Sequence, residues 1–468
     1  MRATLVGHAS LLVEAGGVRI LSDPWWKGPC FGAQWWLYPA PFLEAVNARP
    51  IDYIYVSHGH HDHFHPPTLR TFPKGTRVLV AKGLGLVPPL QEMGLEPIEL
   101  GDEEHHELAP GFACQIMRTD GDDSLMVLSD GHEIGINVND ALHSSPRSVQ
   151  LDFAKRLRDA HPSIDWVFCG YGVASHFPNC YVIPGKNREA TAAARQSHFN
   201  RAWAGVINDL SPRLGLPFAA DFVFLEDDLF WANEPTHNNE RPTAAFHRAY
   251  PSSTTRVIDA TAGFVIENGV PIVEKVHAPV RSPELRRAFG DSIRRVNREP
   301  APDRSDLGRV LSLLRDSVRA GHTYFSSFPG SYRFLIRLRQ PGPGIQIEKH
   351  GAKLSIDLVE PAQFGAERYD LVFTTRLAYL LSSLTTEYGH ETLFVGSGGV
   401  FEYAHASATR RDLHRELTAM VKPGSGTLRP RPGGWRARLS RLKRRARQLL
   451  GDRGKDLYDL HAWTVFTR

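Results

Sequence analysis

Apolar and polar positions alternate in short runs through the first 145 residues. ATLVGHASLLVEAGGVRILSDP holds two β-rich runs about Gly16-Gly17, which predicts a hairpin. DYIYVSHG and TRVLVAKG predict two more strands, each short, apolar and followed by glycine or histidine. SLMVL, Ser129-Asp130-Gly131-His132 and EIGINVND predict a further hairpin. The period then changes. From Val149 to His161, Leu151, Phe153, Ala154 and Leu157 fall at helical spacing, DWVFCGYG returns to strand, and Glu189 to Leu210 reads as a long helix stopped by Ser211-Pro212. Strands and helices mixed in this proportion predict a layered α/β domain over residues 1–285. A charged, helical connector over 286–329 follows. YRFLIRLR, IQIEK, KLSIDLVE and the strand-to-helix run YDLVFTTRLAYLLSSLTT predict a small α/β domain over 330–425. Residues 426–468 read as a basic linker and a C-terminal helix, with Trp435, Leu439, Leu442, Ala446 and Leu449 on one stripe.

The 468 residues are 42% hydrophobic and 23% charged, which excludes a disordered or fibrous chain. Mean hydropathy is −0.29, and no apolar run approaches the roughly 18 residues that span a bilayer. No charged and apolar leader precedes the first strand at Ala3, so a soluble, cytoplasmic protein is expected. Cys30, Cys114, Cys169 and Cys180 show no CxxC spacing, which suits a reducing compartment. The net charge of +4 is unevenly spread: nine basic residues and no acidic one lie between Arg429 and Arg447, so +4 − 9 leaves −5 elsewhere. The pI of 8.8 therefore reports one segment, and no nucleic-acid partner is expected. That segment reads as a docked helix with a solvated basic face, ahead of a membrane or nucleotide-phosphate contact.

Chemistry concentrates at residues 57 to 65, Ser-His-Gly-His-His-Asp-His-Phe-His, directly after an apolar strand. A strand end hands its last side chains to a loop at the sheet edge, where imidazoles and a carboxylate converge without being buried unpaired. Neutral imidazole is a strong ligand for zinc, iron or manganese, and aspartate adds a harder oxygen.

His58-x-His60-x-Asp62-His63 resembles the HxHxDH motif of the metallo-β-lactamase fold superfamily. The resemblance implies an αββα sandwich holding two metal ions, His58 and His60 serving one, Asp62 and His63 the other. Gly7-His8-Ala9-Ser10 and Leu21-Ser22-Asp23-Pro24-Trp25 are similar to the family's opening hairpin, which gives Asp23 the task of orienting a ligand histidine. Asp140, at the end of INVND, corresponds to the family's bridging aspartate. Two positions depart from the hydrolase pattern. Where many members carry histidines, this chain offers Asp120, with Asp122 and Asp123 competing for the role, and Glu226 beside Asp227 and Asp228. Carboxylate in place of imidazole hardens a site, moves preference from zinc towards iron or manganese and favours higher oxidation states.

The same departure resembles the oxygen-activating branch of the superfamily, the CMP-N-acetylneuraminate hydroxylases and the di-iron hydroxylase of chloramphenicol biosynthesis. YGVASHFPNCY is similar to a segment of the former, with His176 expected in the substrate pocket or beside the metal. No Cys-x-His pair occurs anywhere, so the chain carries no Rieske cluster. Residues 330–425, with Tyr388-Gly389-His390-Glu391, weakly resemble a sterol-carrier-like module. The leading expectation is a di-iron oxygenase or hydroxylase that uses O₂, an external electron donor and a polar small molecule, nucleotide- or carrier-linked ones included. Asp62, Asp140 and His176 are its expected catalytic residues; His58, His60, Asp62, His63, Asp120, Asp140 and Glu226 are its expected ligands. The alternatives are a hydrolase of a phosphodiester, lactone or amide, using a metal-bridging hydroxide whose pKa the two cations lower, and a binding protein with a degenerate site.

Overall fold

The computed structural model describes residues 1–119, 123–172, 175–238, 240–298, 302–320, 331–351, 353–365, 368–386, 389–404 and 417–421. Its contacts divide the chain into two units, residues 1–173, 193–224 and 233–285 forming the first, and 174–192, 225–232 and 286–468 the second.

The first unit is built on two sheets. One has eight strands, in the order β18-β17-β1-β2-β3-β5-β6-β7. Its members are β1 (Arg2–Gly7), β2 (Ser10–Ala15), β3 (Val18–Ser22), β5 (Tyr53–Val56), β6 (Arg77–Ala81), β7 (Glu96–Leu100), β17 (Val265–Glu267) and β18 (Val270–Val273). Gly16 and Gly17, at φ +57 and +80, make the two-residue turn between β2 and β3, a conformation that Cβ-bearing residues adopt at a cost. From β3 to β7 the pairing is parallel. The other sheet has seven strands, in the order β16-β14-β12-β11-β10-β9-β8. They are β8 (His105–Ala109), β9 (Phe112–Arg118), β10 (Ser124–Ser129), β11 (Ile134–Asn139), β12 (Trp166–Gly170), β14 (Leu214–Phe218) and β16 (Arg256–Val257). A short antiparallel pair, β4 (Trp35–Leu37) with β15 (Phe222–Phe224), lies apart from both.

Leu5, Val13, Tyr55 and Leu79 of the first sheet share one buried cluster with Ile116, Met126, Leu128, Trp166, Phe168 and Leu216 of the second, so the two sheets face each other. The outer face of the second sheet packs Val127, Ile136, Val138 and Val167 against Phe153 and Leu157 of helix Arg147–Ala160, and against Trp203 and Ile207 of helix Arg188–Leu210. The outer face of the first packs Ile54, Val56, Val78 and Val80 against Leu69 and Leu90, carried by helices Pro66–Leu69 and Val87–Glu92. This is the expected helix–sheet–sheet–helix sandwich. Burying a side chain such as Trp166, 0% exposed, contributes about 2–3 kcal/mol. Gly135 is required beside it, since a Cβ there would lie 1.9 Å from the indole.

The second unit has a six-stranded sheet, in the order β13-β23-β22-β19-β20-β21. It joins β19 (Ser331–Leu338), β20 (Gly344–His350), β21 (Lys353–Val359), β22 (Leu371–Thr375) and β23 (Gly399–Tyr403) to the early strand β13 (Tyr181–Val182). In helix Arg304–Ala320, Leu307, Val310 and Leu314 are buried on one face, as helical spacing requires. The domain plan read from the sequence kept residues 174–192 and 225–232 with the sandwich. They belong instead to the second unit, where β13 pairs in parallel with Phe401–Glu402 and Glu226 and Asp228 form ion pairs with Arg339. The expected basic helix over 426–468 and Tyr388 lie outside the described residues.

Candidate metal centre

β5 ends at Val56, and the next residues carry the His-rich loop out of the sheet. Ser57, His58, Asp62 and His63 are buried, and a hydrogen-bond network fixes which nitrogen each imidazole presents. Ser57 Oγ donates its one proton to Asp23 Oδ2 at 2.8 Å, so it can only accept from His58 Nδ1 at 2.9 Å. His63 Nδ1 donates to Asp23 Oδ2 at 3.0 Å. His58 and His63 therefore both present Nε2 to the centre. Asp23 is 0% exposed and also takes the Ser57 backbone N–H at 2.8 Å and the Asn139 side-chain amide. The aspartate expected to orient a ligand histidine thus contacts His63.

Three groups of donor atoms converge around these nitrogens: His58, His60 and Asp123; His58, His63 and Asp140; and His8, Asp62 and His63. His58 Nε2 lies 2.8 Å from His60 Nδ1 and 3.7 Å from Asp123 Oδ1. His63 Nε2 lies 3.2 Å from Asp62 Oδ2 and 3.5 Å from Asp140 Oδ2. Asp140 follows Asn139, whose φ of +54 ends β11 and turns the chain into the centre. His63 Nε2 and Asp140 Oδ1 are buried with no hydrogen-bond partner. Two bare imidazole lone pairs 2.8 Å apart repel unless a proton or a cation sits between them, and orphaned buried atoms cost about 1–3 kcal/mol each. The donor set fits two divalent cations.

The electrostatics carry the same imprint. Burial, reinforced by His63, pushes His58 down to about 4. Burial also opposes charge on His63, but Asp62, Asp140 and Asp23 overcome it and hold its pKa well above the usual imidazole value. Asp62 stays well below the carboxylate range although burial works against it, because His63 and His8 face it. Burial pushes Asp123 up to about 6, assisted by Asp140.

His58, His60, Asp62, His63 and Asp140 are thus brought together. Asp120 and Asp122 lie outside the described residues; among the described residues their competitor Asp123 is a carboxylate beside His58 and His60. Glu226, expected as a ligand, belongs to the second unit. Its carboxylate is committed to Arg339 at 2.5 Å, Arg376 at 2.8 Å and Tyr379 at 3.2 Å, which leaves it ion-paired within that unit. His176 is also in the second unit. Its Nδ1 donates to the Phe394 carbonyl at 2.6 Å and its Nε2 accepts from Tyr181 Oη at 2.9 Å, so both nitrogens are engaged in holding β13 beside Phe401. His8, 3.0 Å from Asp62, had no sequence signal beyond its place in the opening hairpin.

The family model described as a beta-lactamase superfamily domain matches residues 2–137. A Mycobacterium tuberculosis protein named as a Rieske 2Fe-2S iron-sulfur protein is 32% identical over 249 residues, 50% of this chain and 46% of that one. The cytidine monophosphate-N-acetylneuraminic acid hydroxylase of Mus musculus is 26% identical over 343 residues, 68% of this chain and 54% of the hydroxylase. The crystal structure of CmlA, a diiron beta-hydroxylase from Streptomyces venezuelae, overlays with a TM-score of 0.40 at 17% identity, over 57% of this chain and 54% of that one. The chain spans about half the length of the relatives it matches. Residues 2–137 thus form a β-lactamase superfamily domain, and the chain that carries it has cytidine monophosphate-N-acetylneuraminic acid hydroxylases among its sequence relatives.

Proposed function

We propose that the protein is a dinuclear iron oxygenase that hydroxylates a polar small molecule. The observation that carries this reading is Asp123, a carboxylate that converges with His58 and His60 on one group of donor atoms. With Asp62 and Asp140 it makes the donor set oxygen-rich, which favours iron or manganese over zinc. The hydroxylase name of the mouse relative supports the same class, and nucleotide-linked molecules are the first substrates to test. His58, His60 and Asp123 would hold one ion, Asp62 and His63 the other, with Asp140 facing both. When bound, the irons would supply the activation of O₂ with electrons from a separate donor.

The chain's own residues prepare the site. Asp23 and Ser57 keep His63 and His58 in the tautomers that present Nε2. Trp25, Phe222 and Phe31, all buried, keep bulk water from the inner side of the loop. Asp140 Oδ1, buried and unpartnered, is an acceptor for a donor group that arrives with the ligand.

Metal analysis of protein from cells grown without metal bias, followed by O₂ uptake on the anaerobically reduced protein, tests the reading. Iron near two per chain and O₂ consumption are expected. Stoichiometric zinc, phosphodiesterase or lactonase turnover and no reaction with O₂ would make the protein a hydrolase instead.

A further inference from the structure

His8 stands in the turn between β1 and β2, far in sequence from the HxHxDH loop, and it is 1% exposed. Its Nε2 lies 3.0 Å from Asp62 Oδ2, the oxygen that is 3.2 Å from His63 Nε2. His8 sits at φ +47, a left-handed conformation that costs a non-glycine residue about 1 kcal/mol. Its ring is clamped edge-on by Trp25, 5.0 Å between centroids, and by Phe222 at 6.2 Å, while its carbonyl accepts the Ala219 N–H at 3.1 Å. A strained backbone and three clamps fix one ring orientation, and that orientation aims Nε2 at Asp62.

The polarity of this contact separates His8 from the ligands. His58 and His63 have Nδ1 anchored by Ser57 and Asp23 and Nε2 turned to the centre, the arrangement of metal-binding imidazoles. His8 is the reverse: Nε2 is spent on a carboxylate, and the buried Nδ1 has no partner to anchor it. A carboxylate cannot donate, so His8 Nε2–H donates to Asp62 Oδ2. That bond fixes the rotation of the Asp62 carboxyl about its axis.

We propose that His8 is a positioning residue, which sets Asp62 for the ion it shares with His63 and leaves the His58–His60 ion untouched. The inference rests on the metal-centre reading of the site. It is independent of whether the reaction is oxygenation or hydrolysis.

Cobalt(II) titration of the metal-free full-length protein, against a chromophoric chelator, tests it with three proteins. His8→Phe keeps the ring between Trp25 and Phe222 and removes the donor; His8→Gln keeps an N–H donor and removes the ring. Wild type is expected to take two cobalt ions. His8→Phe should weaken one of them about 10- to 100-fold, the usual effect of losing a hydrogen bond to a ligand, and change the other less than about threefold. His8→Gln should restore most of the loss. Unchanged binding in His8→Phe overturns the proposal, as does equal loss in both variants, which would make His8 a packing residue. A coordination shell that loses one nitrogen in His8→Phe would make it a ligand and overturn the proposal as well. Wild type that takes up no cobalt would instead sink the metal centre itself, a distinct result.

Discussion

Replacing Asp123 by asparagine keeps the side chain's shape and removes its charge, and the structure gives the change opposite signs with and without metal. In the metal-free protein, burial raises the Asp123 carboxyl from 3.8 to about 6. At about 1.4 kcal/mol per tenfold change, that interval corresponds to ~3 kcal/mol of destabilisation when the group is ionised. The side chain is 26% exposed, and solvent screening lowers the figure to about 1–2 kcal/mol. The sign follows from linkage. The folded state binds this proton more tightly than the unfolded chain, so the penalty is absent below pH ~4, grows between pH ~4 and ~6, and is complete above that. Chelated Asp123→Asn should therefore melt above chelated wild type at pH 7 by roughly 2–6 °C, and the two should coincide near pH 4. Saturating iron or cobalt should invert the order at pH 7, because the variant loses an anionic donor and, with it, the stabilisation that bound metal confers. Differential scanning calorimetry at the two pH values, with and without metal, reads all four quantities. A variant that binds metal as wild type does, or whose chelated form is no more stable at pH 7, would remove Asp123 from the centre and with it the preference for iron.

His58→Ala should lower metal content sharply while far-UV circular dichroism stays near wild type, since the ring lies at a strand end outside the sandwich core; two ions retained at wild-type affinity would reject the assignment. Glu226→Gln should leave metal content unchanged and destabilise the second unit by about 3 kcal/mol, because Arg339 and Arg376 lose their shared counter-charge in a buried setting; calorimetry and metal analysis on one sample check both halves. Gly135→Ala should cost about 3 kcal/mol or prevent folding, since its Cβ would overlap the Trp166 indole, and a urea melt within 1 kcal/mol of wild type would contradict that packing.

Much of the sandwich was legible because its period changes are clean. Helix Arg188–Leu210 begins one residue before its expected start and ends where Ser211 takes φ +50. The strands predicted from DYIYVSHG and TRVLVAKG fall at β5 and β6, and every strand-like run read after residue 330 is a strand of the second unit. The strands β7 and β8 were not, since Glu96–Leu100 and His105–Ala109 are mostly polar or half-exposed edge sequences with weak alternation. In the centre, the motif residues could be named because their spacing is local. Residues joined only by the fold, such as His8 with Asp62 and Ser57 with Asp23, have no common sequence signature. Glu226 and His176 each stand in a suggestive local string, and the partners that hold them, Arg339 and Arg376 for one and Phe394 for the other, lie too far along the chain for the sequence to announce.

The pairing of β13 with β23 also bears on how the chain is made. His176 and its acceptor Phe394 are 218 positions apart, so at roughly 5–20 residues per second the ribosome delivers the two sides of that contact about 10–40 s apart. During that interval the sandwich strands up to Gly170 are already available to pair, whereas Tyr181, which stacks on Phe401 and Tyr403 in the finished protein, waits for the strand that carries them. Residues 175–183 are thus a segment waiting for its sheet, a natural point for a chaperone to grip or a protease to cut. A chain ended at residue 285 would keep it in that waiting state permanently, and limited proteolysis of such a chain should cleave there first.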